Sequence, residues 1–454
     1  MREAIRNLSL IVAVLLTVLV AGAQQTVVLH NVRLIDGSGA PAREHMDIAM
    51  RDGIILQVGA SIARHPGERI VNLSGKTVMP GLITAHSHLG VLENNTVNTA
   101  TAFNAPNVIA SLRQFERYGV TTVLSLGTNG DLIYALREQQ REGNLGGATI
   151  LTAGRGIGAF GPGAAPPFKL AADQIDRPTT PEEARRDVDV YATHHVDIVK
   201  VWVDSFHGKA NEMSPEIYSA VINEAHKEHL HVAAHEYALE DARRLVNDGV
   251  DVLAHSIRDK PVDSAFIQSM IQHHTWYIPT LSLDEEFYIY ATQPTIMQSR
   301  FFRDAAGPQL LAKFEAPDYA ASAMASPDTK QHQQDEAIGQ QNLKALYDAG
   351  VLVAFGTDSG AVPGRIPGFS EHRELEDLVS AGLTPLQAIT DATGQTGQLI
   401  HVLDPILNIG MISQGYSADL VVLNADPLAD IRNTRKISAV YHRGRLIPNP
   451  APQD

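Results

Sequence analysis

The sequence contains no cysteine among its 454 residues. Disulfide bonds, thiolate metal sites and a cysteine nucleophile are therefore excluded. Cationic residues are also in deficit, because 36 Lys and Arg face 51 Asp and Glu and the formal net charge is -15. Such a charge argues against nucleic acid or an anionic membrane as the partner. The remaining composition, with 44% hydrophobic and 19% charged residues, is that of an ordinary globular protein.

Long apolar runs are missing after residue 23 but present before it. Arg2 and Arg6 form a short basic region, an apolar run from Leu8 to Val20 follows, and Ala21-Gly22-Ala23 has the small residues of a signal-peptidase site. We predict a signal peptide over residues 1–23, cleavage after Ala23, and export to the periplasm or the medium, with no membrane contact after cleavage. An uncleaved membrane anchor is the alternative, although the run is short for a span.

The two ends of the mature chain differ in character from its middle. Residues 24–79 and 401–454 carry short apolar runs separated by turns such as Arg51-Asp52-Gly53 and Arg443-Gly444. This pattern predicts one small β-sandwich domain built from both termini.

The middle, residues 80–400, alternates strand and helix, and Thr180-Pro181 and Thr384-Pro385 mark clear helix starts. Eight strands in this alternation predict an α/β fold, a (β/α)8 TIM barrel. An open doubly wound sheet is the alternative, but no Gly-x-Gly-x-x-Gly opens the first βα unit. The strand candidates are Leu82–Ala85, Thr121–Leu126, Thr149–Ala153, Val196–Val203, Leu230–Ala234, Val250–Ala254, Trp276–Thr280 and Leu352–Gly356.

Polar residues recur at the ends of the apolar strands. His86 and His88 end the first strand, and side chains two residues apart on a strand point to the same side. His235, His255 and Asp358 end strands five, six and eight. Because the carboxyl ends of barrel strands converge on one mouth, we expect these side chains to form a ligand set for a divalent ion such as zinc.

Lys200 lies inside the fourth strand, in the apolar run Val196-Asp197-Ile198-Val199-Lys200-Val201. A bare ammonium there is costly to desolvate. One interpretation is an ion pair with Asp197 or Asp204, and another is a side chain that points outward between helices. The functional interpretation is that a lowered pKa lets the amine react with carbon dioxide, so that the carbamate bridges two metal ions.

With these residues in place, the sequence resembles the amidohydrolase superfamily over nearly the whole mature chain, and within it the imidazolonepropionase-like and Xaa-Pro/Xaa-Arg dipeptidase branch. Besides the strand-end residues above, the matching stretches are Pro80-Gly81-Leu82-Ile83-Thr84-Ala85-His86-Ser87-His88, Gly119-Val120-Thr121-Thr122-Val123, Gly356-Thr357-Asp358-Ser359 and Ala418-Asp419-Leu420-Val421-Val422-Leu423.

The resemblance implies a binuclear centre, with two zinc ions per subunit. His86, His88 and Asp358 would hold one ion, His235 and His255 the other, and carboxylated Lys200 with a hydroxide would bridge them. Two cations lower the pKa of a shared water, so hydroxide is available near neutral pH. The catalytic candidates follow. Asp358 would move the proton to the leaving nitrogen, and Tyr237 would hydrogen-bond the substrate, although Tyr237 could equally be a rim aromatic.

The sequence departs from the family pattern at two places. Thr84 stands where the family often has Asp, which affects the support of the ligands rather than the ligands themselves. The stretch from Gly154 to Gly161 lacks the Gly-Gly-His of the dipeptidases. We therefore expect a bulky or apolar acyl group, held by the Gly/Pro-rich loop up to Pro167 and by the long segment after Leu281.

The leading hypothesis is an exported metal-dependent hydrolase of a carbon–nitrogen bond in a small-molecule amide or peptide, such as an N-acyl amino acid. The first alternative is a mononuclear deaminase or cyclic-amide hydrolase in which Lys200 is structural. The second is a non-catalytic secreted binding protein, which predicts a broken ligand set. A Ser-His-Asp hydrolase at Ser359 lacks the Gly-x-Ser-x-Gly elbow. The oligomeric state stays open, and a homo-oligomer is one of the options.

Overall fold

The structure, a computed structural model, describes residues 25–161 and 164–454. The predicted signal peptide, residues 1–23, lies outside the described residues. Seventeen strands run through the described chain. They are β1 (Val27–Leu34), β2 (Arg43–Arg51), β3 (Ile54–Gly59), β4 (Arg69–Asn72), β5 (Thr77–Pro80), β6 (Leu82–Ser87), β7 (Leu92–Glu93), β8 (Val97–Asn98), β9 (Val120–Ser125), β10 (Thr149–Thr152), β11 (Val199–Trp202), β12 (Val232–His235), β13 (Val252–Leu253), β14 (Trp276–Tyr277), β15 (Leu420–Leu423), β16 (Ile437–His442) and β17 (Arg445–Leu446).

Both ends of the chain build one eight-stranded sheet. Its order is β17-β16-β15-β5-β1-β2-β3, with β4 on β1, and the two ends meet where β15 pairs antiparallel with β5, Val421 opposite Met79. Alternating side chains of these strands, such as Leu29, Ile48 and Val422, form a separate buried apolar cluster. The second layer that a β-sandwich requires, and the boundaries at residues 79 and 401, stay predictions.

The middle of the chain forms two parallel sheets, β10-β9-β6 and β11-β12-β13-β14. These strands stand at seven of the eight predicted positions. Single bridges join the sheets at Ile157 and Val201 on one side and lead through Val353 to Tyr277 on the other. The fold is thus barrel-like, and the expectation of a closed ladder of eight strands is corrected.

The eighth position, Leu352–Gly356, does not form a continuous strand. Its backbone still bonds both neighbours, since Phe355 O accepts from Ala85 N at 2.7 Å and Ala354 N donates to Tyr277 O at 2.9 Å. A Cβ at Gly356 would lie 2.8 Å from His86 N, so the chain approaches β6 too closely for a side chain there. The segment then turns away to present Asp358.

Helices cover the outside of the barrel. The predicted start at Thr180 is confirmed, because its hydroxyl accepts from Glu183 N at 3.2 Å, and Thr384 forms a capping box with Gln387. No helix of the described ranges is both long and apolar enough to cross a bilayer. The helices are α1 (Ala105–Arg117), α2 (Leu132–Arg141), α3 (Pro181–Thr193), α4 (Pro215–Lys227), α5 (Leu239–Asn247), α6 (Ser264–His273), α7 (Ser282–Glu285), α8 (Ile289–Thr292), α9 (Arg300–Phe314), α10 (Tyr319–Ala325), α11 (Pro327–Asp348), α12 (Phe369–Ser380), α13 (Pro385–Thr390) and α14 (Thr396–Leu403).

Three shorter helical turns complete the chain, 3-10 turns at Pro294–Gln298 and Ile431–Arg435 and a π turn at Asp391–Gln395. The barrel interior is packed with small and branched residues such as Ile83, Ala233 and Ala254. This filling leaves the interior dry below the strand ends and makes the mouth the place where polar side chains collect.

Candidate active site

Three of the predicted ligands meet directly at the barrel mouth. The Nε2 atoms of His86 and His88 lie 3.3 Å and 3.0 Å from Oδ1 of Asp358. The backbone fixes this approach, since His86 O accepts from the N–H groups of both Thr357 and Asp358. Asp358 itself has φ +58°, a left-handed conformation that a residue with a side chain seldom adopts. One oxygen of Asp358 therefore faces both histidines of β6.

The other two histidines complete the cluster. The ring of His255 lies 4.6 Å from that of His86 and 4.3 Å from that of His235, measured between centroids. His235 ends β12, as predicted, whereas His255 follows β13 by two residues. All four histidines are buried. The structure therefore brings together the predicted side chains of strands one, five, six and eight.

An outer partner occupies one ring nitrogen of three of these histidines. His88 Nδ1 lies 3.1 Å from Thr128 Oγ1, and His255 Nδ1 lies 2.9 Å from Thr280 Oγ1. His235 Nε2 lies 2.9 Å from Asp204 Oδ2. Such contacts fix the orientation of a metal-binding imidazole and leave its other nitrogen for the ion.

Lys200 lies in the same cluster. It projects from β11, it is 0% exposed, and its Nζ has no hydrogen-bond partner among the described residues. Burial lowers the pKa of Lys200 to about 7, against the opposing charges of Asp358 and Glu236. A lysine amine in water has a pKa of about 10.4. A pKa near neutrality leaves much of the amine uncharged and nucleophilic.

The alternative interpretations of Lys200 are not supported by its surroundings. Asp197 pairs instead with Arg137, Nη1 to Oδ2 at 2.7 Å, and Asp204 pairs with His235. Nor does the side chain point outward between helices, because it is 0% exposed and its Cγ lies 3.4 Å from where a Cβ at Gly127, after the end of β9, would stand. The ring of Trp202 lies 5.5 Å from Nζ.

The electrostatics of the cluster suit neutral histidines beside an ionised aspartate. Burial lowers the pKa of His86, His235 and His255, and the Lys200 charge lowers each further. Burial opposes the ionisation of Asp358, but Arg365, which donates to Oδ2, and the histidines lower its pKa below the usual range. Neutral imidazoles and a carboxylate are the protonation states that bind divalent metal ions.

The donor set fits a metal ion. Ligand atoms of His86, His255 and Asp358 all lie within 4.8 Å of one another. Neither ring nitrogen of His86 has a hydrogen-bond partner in the described part of the chain, although the residue is 0% exposed. Buried polar atoms without partners are costly, and a cation shared by these donors would remove that cost.

A cavity of about 610 Å³ opens from the cluster toward the segments that the sequence marked as loops. Aromatic residues line it: Phe168 after the Gly/Pro-rich loop, Phe206, and Phe287 beyond α7. The ring of Phe206 stacks on His235 at 5.2 Å, and that of Phe287 stacks on His332 at 3.8 Å. The wall can therefore take an apolar or aromatic group.

Tyr237 lies in this cavity, near the cluster as predicted, but its hydroxyl is already engaged. It donates to Asp335 Oδ1 at 2.9 Å, and burial together with that carboxylate raises the pKa of Tyr237. A hydrogen bond from Tyr237 to a substrate requires this contact to break. Its role in substrate binding stays a prediction.

Three neighbouring residues have structural contacts that the sequence did not indicate. Ser359 and Thr357 both donate to Glu371 Oε1 at 2.7 Å, so the Ser359 hydroxyl holds the turn around Asp358 and does not face a histidine. Thr84 Oγ1 donates to His86 O at 3.2 Å, which supports the backbone of that ligand.

Sequence reasoning missed four residues of the site and its cavity. Arg365 and Thr128 contact the ligands from loops whose fold the sequence did not specify, so no signal marked them. Thr280 could have been noticed, because it is the last residue of the seventh predicted strand. Arg258 could have been noticed, because it follows His255 by three residues at the same strand end. Asp204 was considered only as a partner of Lys200.

The sequence is similar to those of known hydrolases. The sequence model of the amidohydrolase family matches residues 77–447. An ochratoxinase from Aspergillus niger is 25% identical over 460 residues, which cover 92% of this chain and 85% of that protein.

Solved structures agree with the sequence match. A candidate prolidase from Bifidobacterium longum has a TM-score of 0.73 and 26% identity, covering 95% of this chain and 97% of that one. A Xaa-Pro dipeptidase has a TM-score of 0.72 and 23% identity, with coverage of 93% and 99%. The predicted superfamily and branch are confirmed, and the α/β barrel-like fold with them.

Proposed function

The chain belongs to the amidohydrolase family, and from this premise we propose that it is an exported, metal-dependent hydrolase of N-acyl amino acids or dipeptide-like amides. Family membership and the hydrolase relatives support the coarser statement, hydrolysis of an amide or peptide carbon–nitrogen bond. The finer points, which are the metal ions, the carboxylated lysine, the substrate and the export, are our proposals.

One observation carries the proposal. Three histidines are each held at one ring nitrogen by an outer partner, and the amine of Lys200 stands unpaired among the histidines and Asp358. A purely structural polar cluster would pair its groups with one another. In this cluster, ligand atoms are left without a hydrogen bond, as they are in a metal centre before the ion binds.

His86, His88, Asp358, His235 and His255 would hold two zinc ions, with Lys200 as a bridging carbamate. Bound ions would supply an activated water and polarise the substrate carbonyl. The residues of the chain do the rest. Asp358, kept ionised by Arg365, accepts a proton and delivers it to the leaving nitrogen.

The cavity supports the substrate class. Phe168 and Phe287 stand where the sequence led us to expect a bulky acyl group to be held. Because the scissile bond must reach the ligand cluster, the acyl group and the leaving amine occupy opposite walls of the same space. These contacts set which substrate is chosen, whereas the ligand cluster sets the rate.

The experiment combines metal analysis with turnover. Wild type purified with zinc should contain two ions per chain and hydrolyse N-acyl aromatic amino acids. Lys200→Ala should lose metal and activity together, and an added short carboxylic acid should restore part of both. Lys436→Ala, a matched exposed lysine, should change neither. Unchanged metal content and rate in Lys200→Ala would refute the bridging role.

Export has its own test. The protein secreted by its host should begin at Gln24, as read by N-terminal sequencing. Recovery of an intact chain from the membrane fraction would contradict cleavage after Ala23.

A second candidate is favoured by one feature of the cluster. Ligand atoms of His86, His255 and Asp358 lie close enough together to hold one ion. His86 and Asp358 belong to the ligand set predicted for the first ion and His255 to that of the second. Their meeting at one place suits a single ion. A mononuclear deaminase or cyclic-amide hydrolase would then follow, with Lys200 as a support. One ion per chain and full activity in Lys200→Ala would decide for it.

A further inference from the structure

Arg258 is a buried cation, and two of its three guanidinium nitrogens have no hydrogen-bond partner among the described residues. The residue is 6% exposed and lines the 610 Å³ cavity. Its Nε and Nη1 atoms have no hydrogen-bond partner among the described residues. Its backbone N–H donates to Tyr237 O at 3.1 Å, and the guanidinium carbon stands 5.4 Å from the centre of the Tyr237 ring. The side chain thus lies against the Tyr237 ring and forms part of the cavity wall.

Four carboxylates act on Arg258; three of them are hydrogen-bonded elsewhere, and the side-chain oxygens of the fourth, Glu236, have no hydrogen-bond partner among the described residues. Asp284 binds His332 at 2.8 Å and comes only within 3.6 Å of Arg258 Nη1. Asp335 accepts from Tyr237, and Asp204 contacts His235. Their charges compensate the guanidinium, so that it can be buried, yet none of them takes up its N–H groups.

A planar carboxylate is the ligand that such a site fits best. A guanidinium offers parallel N–H donors that match the two oxygens of a carboxylate, and such pairs are among the strongest hydrogen bonds in proteins. Arg258 also lies three residues after His255, and it lines the cavity that opens from the ligand cluster. In an amino acid released from an amide, the α-carboxylate is separated from the scissile nitrogen by a single carbon.

We propose that Arg258 binds the α-carboxylate of the amino acid on the leaving side of the scissile bond. This proposal rests on the proposed function and deepens it, because it restricts the substrates to those with a free carboxylate. It also reassigns the partner of the substrate oxygens, since the Tyr237 hydroxyl is bound to Asp335 while Nε and Nη1 of Arg258 have no partner among the described residues. Tyr237 then acts as the ring against which the guanidinium lies.

The test measures binding, so that it does not depend on turnover. L-Phenylalanine and 2-phenylethylamine share a ring and an ammonium group and differ in the carboxylate. We would titrate both into the zinc-loaded full chain by calorimetry. Wild type should bind L-phenylalanine at least about thirtyfold more tightly, the scale of hydrogen bonds to a charged group. Arg258→Met should lose that preference, and Arg258→Lys should keep part of it.

Controls separate the competing outcomes. Lys209→Met removes a cation at the exposed rim, paired with Asp328, and should leave the preference within about twofold, because exposed charges are screened. Near-UV circular dichroism checks that the Arg258 variants fold. If Arg258→Met does not fold, the binding preference is measured in Arg258→Lys instead.

Two results would overturn the proposal. Equal binding of the two compounds by wild type would show that no carboxylate is recognised. A preference that persists in Arg258→Met would show that the metal centre holds the carboxylate. Absence of amide hydrolysis with the binding preference intact would count against the proposed function alone.

Discussion

Two buried polar clusters of this molecule are built in opposite ways. At the barrel mouth, His86 and Lys200 are fully buried, and their side-chain nitrogens have no hydrogen-bond partner within residues 25–161 and 164–454. At the junction of the barrel with the terminal sheet lies a second cluster, Glu116, Thr149 and His442. There His442 Nδ1 lies 2.6 Å from Glu116 Oε1, and His442 Nε2 lies 3.1 Å from Thr149 Oγ1.

This difference distinguishes a cluster that can bind a ligand from a cluster that only stabilises the fold. In the junction cluster both ring nitrogens of His442 are taken, so the group joins α1, β10 and β16 and needs nothing further. In the mouth cluster the unpaired nitrogens cost stability, typically 1–3 kcal/mol for each buried group. Such a cost persists where a ligand removes it or where chemistry requires it. Changes in the mouth should therefore affect activity, and changes in the junction should affect folding.

The largest expected effect is on turnover at the mouth. Asp358→Asn keeps the shape of the side chain but cannot accept a proton at neutral pH. We expect kcat to fall at least about a hundredfold, the lower scale for losing a general acid–base group. The measurement is kcat and metal content together, with Asp263→Asn at an exposed helix cap as the matched control. Near wild-type turnover in Asp358→Asn would remove the residue from the mechanism.

The junction should respond in the opposite sense. His442→Ala leaves Glu116 without this partner, whereas Thr149 still accepts from Arg443 Nη2 at 3.2 Å, and we expect the free energy of unfolding to fall by about 2 kcal/mol. Urea denaturation of the zinc-loaded protein measures this, and kcat and metal content should remain those of wild type. A loss of activity without a loss of stability would show that the junction cluster does not act mainly by stabilising the fold.

A smaller effect concerns the pH dependence of stability in the metal-free protein. The Lys200 pKa is about 7 in the folded chain and about 10.5 when unfolded, so between these values the unfolded state binds the extra proton. Stability then rises with pH, by about 1 kcal/mol per pH unit between roughly pH 8 and 9.5.

Lys200→Met should abolish that part of the slope, whereas Lys436→Met should keep it. Glu236, whose pKa burial raises to about 8, also interacts with Lys200, so the slopes are compared in a Glu236→Gln background. In that background, identical slopes with Lys200 and with Lys200→Met would mean that the amine is not desolvated as the structure shows it.

The smallest effect is expected at a residue that lies beside the mouth but is fully paired. Ser359 donates to Glu371 and contacts no histidine. Ser359→Ala should change kcat by less than about twofold and lower the free energy of unfolding by about 1 kcal/mol. A kcat loss of a hundredfold or more would revive a serine nucleophile.

The positions of residues that lie on helices and strands could be predicted from the sequence. His86, His88, Lys200 and His235 were found because strand periodicity and strand ends are local properties of a chain. The same reasoning located seven of the eight inner strands and the caps at Thr180 and Thr384.

What could not be predicted depends on loops and on close approach between distant segments. Arg365 reaches Asp358 from a turn, and the bond from Tyr237 to Asp335 joins positions nearly a hundred residues apart. The close approach of Gly356 to the backbone of His86 likewise joins segments far apart in the sequence. Such contacts are tertiary, and no period in the sequence encodes them.

The pairing of β5 with β15 has a consequence for how the protein is made. Met79 finds its partner Val421 only after the entire barrel has left the ribosome, because the barrel lies between them. Until then the edge of β5 is open, and a contact so distant along the chain forms slowly. The order of synthesis thus favours a barrel that assembles first and a terminal sheet that closes last.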